Sequence, residues 1–206
     1  MEFTLKLSDY QIHDLIAKQS EVSNICINAL STIFHHEQNR EKHSTDAKGC
    51  YYFIPMSVDR VLEELLCVKG QLKKPSYNYR LLDVGCGIGN IMLLANHTGF
   101  QCSGIEHNSK LVKRAFYPEA YKYGDRPNIM HGDALDFQDY DKFDIIYYYC
   151  PIANHKKEYA LEKLIEDNMK VDAWLIANGK MRREIYEDKR FKPMHKAMPI
   201  WQKVSA

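Results

Sequence analysis

Long hydrophobic runs are missing from this chain. Nowhere do the 206 residues approach the 18 or more consecutive apolar positions that a membrane-crossing helix needs, so no membrane partner is expected. Residues 1–7 read as too short and too acidic for a secretory signal, which leads to the expectation of a cytoplasmic protein. An excess of one charge is missing too: 28 Lys and Arg stand against 27 Asp and Glu, and a net charge of +1 announces no polyanionic partner. The six cysteines (Cys26, Cys50, Cys67, Cys86, Cys102, Cys150) include no Cys-x-x-Cys pair. That removes a zinc ribbon and a disulfide framework and leaves reduced thiols packed as small hydrophobes. His35, His36 and His43, with Glu37 and Glu41, read as a polar surface run, because at helical pitch His36 and His43 are too far apart to chelate easily. No metal site is expected.

Glycine is sparse, ten residues in all, yet three of them fall within residues 81–90, LLDVGCGIGN. Leu81, Leu82 and Val84 suit a strand buried between two helical layers, and Ile91 to Ala95 suit a helix facing a core. Between them Gly85, Gly87 and Gly89 permit positive φ and leave no Cβ between the turn and a ligand. Asp83 ends the strand, where its carboxylate can hold the loop's amides or meet the amino group of an amino-acid tail. Dinucleotide sites space their glycines Gly-x-Gly-x-x-Gly to seat a pyrophosphate. Here the third glycine of that pattern would fall on Asn90 or on Met92, so a ligand without phosphates fits better.

The segments that follow are ordered as in a doubly wound α/β fold. Residues 101–106 (QCSGIE) read as a second strand ending in Glu106, about 20 residues beyond the glycines, the spacing at which a carboxylate reaches ribose hydroxyls. Residues 128–133 (NIMHGD) read as a third strand; there Asp133 and the amide of Ala134 can read an adenine edge. Residues 143–149 (FDIIYYY) form a fourth, stopped by Pro151 at the rim where open α/β sheets bind ligands. A helix from His155 to Met169 leads to a fifth strand over residues 171–177, closed by Asn178-Gly179. Two last strands are expected near residues 190–195 and 200–204, with little or no helix before them.

This set resembles the class I S-adenosylmethionine-dependent methyltransferases over about residues 52–178. The resemblance implies a mostly parallel, doubly wound α/β sheet of order 3-2-1-4-5-7-6, with the seventh strand antiparallel and helices on both faces. It implies S-adenosyl-L-methionine as cofactor, bound by Asp83, Gly85, Cys86, Gly87, Gly89, Glu106, His107, Asp133, Ala134 and Tyr149. Asp83, Gly85 and Gly87 would line the methionine moiety, Glu106 would bind both ribose hydroxyls, Asp133 with Ala134 would hold the adenine, and His107 would pack on it. Tyr149 and Pro151 are the candidate catalytic positions, at the end of the fourth strand where the acceptor meets the sulfonium.

The organisation expected is an N-terminal helical extension over residues 1–50 and a cofactor-binding domain over residues 51–206. In the extension Ser8 and Gln11 form a capping box with Leu7 and Ile12 as a staple, and apolar residues from Ile12 to Phe34 recur at spacings of three and four. Packing on the domain's own sheet and a substrate lid or homodimer seam are both compatible with that stripe. In residues 51–56 (YYFIPM), Tyr52 and Phe53 are candidates for the pocket wall or for core packing, and Ser57 can cap a helix running to Val68.

The acceptor is read from Tyr149, Cys150, Pro151 and Ile152. Amino-directed nucleic-acid methyltransferases place Asn, Asp or Ser, then Pro-Pro and an aromatic residue there, and only the second proline is kept. The expected function is therefore methyl transfer to a protein side chain or small molecule, with Tyr149, His155 or solvent taking any proton. RNA or DNA methylation and a non-catalytic interaction module are the alternatives. The first draws on residues 180–196, where seven Lys and Arg face three acids; a solvated face explains that stretch equally well.

Overall fold

The computed structural model describes residues 56–115, 128–194 and 198–206. The helical extension expected over residues 1–50, its histidines, the expected dimer seam, and Tyr52 and Phe53 lie outside the described residues.

The strand over Arg80–Val84 (β1) shows how the sheet is built. Its side chains alternate between two faces: Leu81 joins one hydrophobic cluster, Leu82 and Val84 another, and all three are at most 1% exposed. At about 1.5–3 kcal/mol for each large apolar side chain removed from water, such strands carry much of the stability. Around β1 lie β2 (Gln101–Glu106), β3 (Asn128–His131), β4 (Ile145–Tyr149), β5 (Trp174–Asn178), β6 (Phe191–Pro193) and β7 (Ile200–Lys203), in the order β3-β2-β1-β4-β5-β7-β6. The first five strands pair in parallel, and β7 runs antiparallel to both β5 and β6.

Helices α1 (Val58–Lys69) and α2 (Asn90–His97) cover one face; α4 (His155–Asn168) covers the other; α3 (Ser109–Val112) is a single turn after β2. α2 presses close to the sheet, since a Cβ on Gly104 would stand 2.5 Å from the Met92 sulfur. Seven of its eight residues are buried, as its apolar sequence predicts.

Several boundaries differ from expectation. β3 stops at His131, which leaves Asp133 in the following turn rather than in the strand. β4 begins at Ile145, because a 3₁₀ turn over Tyr140–Lys142 occupies the chain just before it. β5 begins at Trp174, since Asp172 has φ of 68° and cannot extend, and it runs on through Asn178. Ser57 does stand at the start of α1, but its side chain makes no capping bond. The N-cap of α4 is Asn154, whose Oδ1 accepts from the Lys156 and Lys157 amides, and His155 lies exposed in the first turn. Cys67, Cys86, Cys102 and Cys150 are free thiols, the middle two buried.

Candidate functional site at the strand ends

The glycine loop leaves β1 at Asp83 and enters α2 through Gly89, whose φ of 92° places it in the left-handed region that a side chain rarely tolerates. β2 holds the loop. The Ile105 carbonyl accepts from the amides of Gly85 (2.8 Å) and Cys86 (3.1 Å), and Glu106 Oε2 accepts from Gly87 N–H at 2.9 Å. The other oxygen of Glu106 accepts from Asn108 N–H at 2.7 Å. Of the two roles open to Asp83, holding the loop's amides is therefore taken over by Ile105 and Glu106.

Asp83 is left with an unmet need. It is 2% exposed, and among the described residues its Oδ2 has no hydrogen-bond partner. Burial, and secondarily the charge of Glu106, hold its carboxyl well above the ordinary range. Asn90, where the loop becomes helix, is 4% exposed with both amide atoms unpartnered. Buried polar groups almost always find partners, so two such residues on one loop mark a place where a ligand's polar atoms complete the set.

Glu106 is 8% exposed and has committed one bond per oxygen, which leaves further lone pairs for hydroxyl donors. Its neighbour His107 is exposed, with its carbonyl 3.1 Å from a ring nitrogen of His131. In the turn after β3, Asp133 Oδ1 accepts from Leu135 N–H at 3.0 Å, and the Ala134 carbonyl accepts from the Tyr140 hydroxyl at 2.8 Å. That bond pins the turn to the core.

β4 ends in a tightly held loop over residues 149–152. Tyr149 is 40% exposed at its start. Cys150 has φ of 38°, a strained value for a residue with a side chain, and its thiol donates to the Gly179 carbonyl at 3.4 Å. Pro151 lies against Gly85: a Cβ there would stand 2.4 Å from the Pro151 Cβ. The absent side chain of Gly85 thus makes room for Pro151 as well as for any ligand, and the two loops pack as a unit.

Beneath these loops lies a polar group that sequence reasoning missed. Asn178 Nδ2 donates to Glu64 Oε2 at 2.8 Å and lies 3.4 Å from the Tyr147 hydroxyl, while Asn178 Oδ1 is buried without a partner. Burial raises the Glu64 carboxyl above its ordinary value. Glu64 and Asn178 are 114 positions apart, and no local pattern joins them. Asn90 carried a signal that was read only for spacing: a lone amide heading an otherwise apolar helix.

Three of the seven cations in the basic stretch over residues 180–196 are paired within the fold. Lys180 is buried between Glu162 (3.0 Å) and Glu166, Arg182 pairs with Glu166 at 3.2 Å, and Arg190 pairs with Asp167 (3.0 Å) and Asp188 (2.7 Å). Among the described residues, no group of His, Cys, Asp and Glu is arranged to hold a metal, and no helix is long and apolar enough to cross a membrane.

Comparison with known proteins agrees with this geometry. A family model described as a methyltransferase domain matches residues 82–164. A sterol 4-C-methyltransferase of Caenorhabditis elegans is 28% identical over 115 residues, which is 50% of this chain and 34% of that protein; the chain thus spans about a third of the curated relative's length. The crystal structure of an RNA methyltransferase from Salinibacter ruber, in complex with S-adenosyl-L-homocysteine, superposes with a TM-score of 0.54 at 19% identity. That superposition covers 74% of this chain and 95% of the other, and it speaks for the fold. By its strand order the chain has the fold of the class I S-adenosylmethionine-dependent methyltransferases, and its residues 82–164 match a methyltransferase domain.

Proposed function

We propose that this protein transfers a methyl group from S-adenosylmethionine to a small molecule or a protein side chain held at the end of β4. The observation that carries the reading is the buried, unpartnered oxygen of Asp83 beside a glycine loop whose amides β2 already holds. A scaffold without a ligand would be more stable with that carboxylate replaced.

The residues fit the cofactor. Asp83 would take the ammonium of the methionine tail, with Asn90 at the other end of the loop available to its polar atoms. Gly85, Cys86, Gly87 and Gly89 would present their backbone to that tail. The free lone pairs of Glu106 would take ribose hydroxyls, Asp133 and Ala134 the adenine edge, and His107 the ring's exposed side. Bound there, S-adenosylmethionine supplies a methyl group on a sulfonium that needs no further activation.

The chain's own task is to hold an acceptor in line with that methyl and to exclude water. Tyr149, exposed at the end of β4, would face the acceptor, and Pro151 packs the loop against Gly85. An acceptor alcohol or ammonium loses its proton at this rim, where Tyr149 and His155 are both exposed. The sterol methyltransferase likeness supports a small molecule, over half of this chain. The departure of residues 149–152 from the nucleic-acid pattern and the paired state of Lys180, Arg182 and Arg190 speak against a nucleic-acid acceptor.

Incubation with radiolabelled S-adenosylmethionine and fractionated cell extract tests the reading. Label is expected in the small-molecule or protein fraction. Label confined to RNA or DNA contradicts the acceptor class, and no transfer to any fraction contradicts the activity.

A further inference from the structure

α4 carries three glutamates at positions 158, 162 and 166, all at most 1% exposed and turned toward the sheet. Two are neutralised. Glu162 accepts from Lys180 Nζ (3.0 Å) and from the Met181 (2.7 Å) and Arg182 (2.6 Å) amides, and Glu166 accepts from Lys180 and from Arg182 Nε (3.2 Å). Glu158 has no cation in contact among the described residues. Its Oε2 accepts from a single donor, the Ile152 amide at 2.9 Å, and its Oε1 is buried without a partner. The Tyr148 hydroxyl is likewise buried and unpartnered. A buried carboxylate with one backbone bond is a costly way to hold a loop, and a neutral side chain would be cheaper.

What it holds is the loop after β4. Within four residues that loop carries the exposed Tyr149, the strained Cys150, the Pro151 that packs on Gly85, and the Ile152 amide. We propose that Glu158 is the positioning residue of this loop, fixing residues 149–152 against the cofactor loop through the Ile152 amide. The proposal rests on the reading of the site as a cofactor-dependent methyl-transfer site.

The groups around Glu158 set when it ionises. Burial is the largest influence and pushes its carboxyl up to about 7; the Ile152 bond and the charge of Lys180 oppose this, while Glu162 on its own helix adds to it. Tyr148 on β4 and Cys150 in the loop complete its titratable surroundings, and burial raises both beyond the neutral range. As pH rises through 7 the Ile152 amide exchanges a neutral acceptor for a charged one, and charge-assisted hydrogen bonds are roughly twice as strong. Neither Glu158 nor Tyr148 is used in the transfer itself, so Glu158 acts through Ile152 and Pro151.

The test combines S-adenosylhomocysteine titration calorimetry from pH 5.5 to 8.5 with hydrogen exchange of the Ile152 amide, on wild type, Glu158→Ala and Glu158→Gln. Glu158→Ala is expected to bind about tenfold more weakly at pH 8 and to lose Ile152 protection. Glu158→Gln keeps a neutral acceptor for Ile152. Its affinity should equal that of wild type at pH 5.5 and fall about threefold behind it by pH 8.5, the strength of a neutral against a charged acceptor. Should Glu158→Ala not fold, that ratio carries the test alone. A ratio that does not change with pH, or a folded Glu158→Ala with wild-type affinity and Ile152 protection, overturns the role given to Glu158. Wild type that does not bind S-adenosylhomocysteine at all contradicts the proposed function instead, and with it the purpose of the contact.

Discussion

Asp83 concentrates the conflict between folding and function in one side chain. Its carboxylate sits without a partner in a 2% exposed position, between the glycine loop and the charge of Glu106. Burial raises its folded-state value, so the proton is bound more tightly in the folded protein than in the unfolded chain. This site's contribution to stability therefore falls as pH rises above the ordinary carboxylate range. A cationic ammonium placed beside it favours the ionised form and expels that proton. Asp83→Asn is accordingly expected to raise the melting temperature by a few degrees, as removal of roughly 1–2 kcal/mol of desolvation would. The same substitution should weaken S-adenosylhomocysteine binding by about tenfold or more. Calorimetry in buffers of different ionisation enthalpy should register proton release on binding to wild type and none to Asp83→Asn. Equal affinity in the two proteins would remove Asp83 from the site.

At the scale of elements, α4 departs most from what its sequence displays. HKKEYALEKLIEDN looks like a solvated helix, yet Glu158, Glu162 and Glu166 face inward. The partners of Glu162 and Glu166, Lys180 and Arg182, come 14 to 20 residues later, so periodicity within the helix cannot reveal the pairing. Two of the seven cations that suggested a phosphate-tracking patch, Lys180 and Arg182, are the other half of this network. Lys180→Met leaves Glu162 and Glu166 without their shared cation and is expected to cost about 3–5 kcal/mol in urea denaturation. A loss below about 1 kcal/mol would mean the network contributes little to holding α4 on the sheet.

β1, β2 and the loop between them were legible, because apolar runs flanked by Asp83, the glycines and Glu106 announce both their length and their ends. β3 was legible only in part. It is a short edge strand with no buried residue, and nothing in its pattern separates the strand from the turn that holds Asp133. The Glu64–Asn178–Tyr147 group was invisible for the same reason as the α4 network: it joins helix and strand across the fold.

For the whole molecule, the unpaired acids make stability and ligand binding respond oppositely to pH. Glu158 is raised from 4.5 to about 7 in the folded protein, so its contribution to stability declines as pH climbs between those values and is fully lost above the upper one. The penalty is on the order of 3 kcal/mol at pH 8. Melting curves of wild type and Glu158→Gln should therefore converge near pH 5, with Glu158→Gln the more stable by pH 8. Parallel curves would mean that Glu158 does not titrate in this range.

The seven-stranded sheet brings Asp83, Glu106 and the loop after β4 to the C-terminal ends of three neighbouring strands, where S-adenosylmethionine is proposed to bind. Isothermal titration of the folded protein with S-adenosylmethionine and S-adenosylhomocysteine tests it. Saturable, one-to-one binding in the micromolar range, about 8 kcal/mol, is expected. A folded protein that gives no binding heat at high concentration with either ligand, and no shift of its melting temperature, would contradict it.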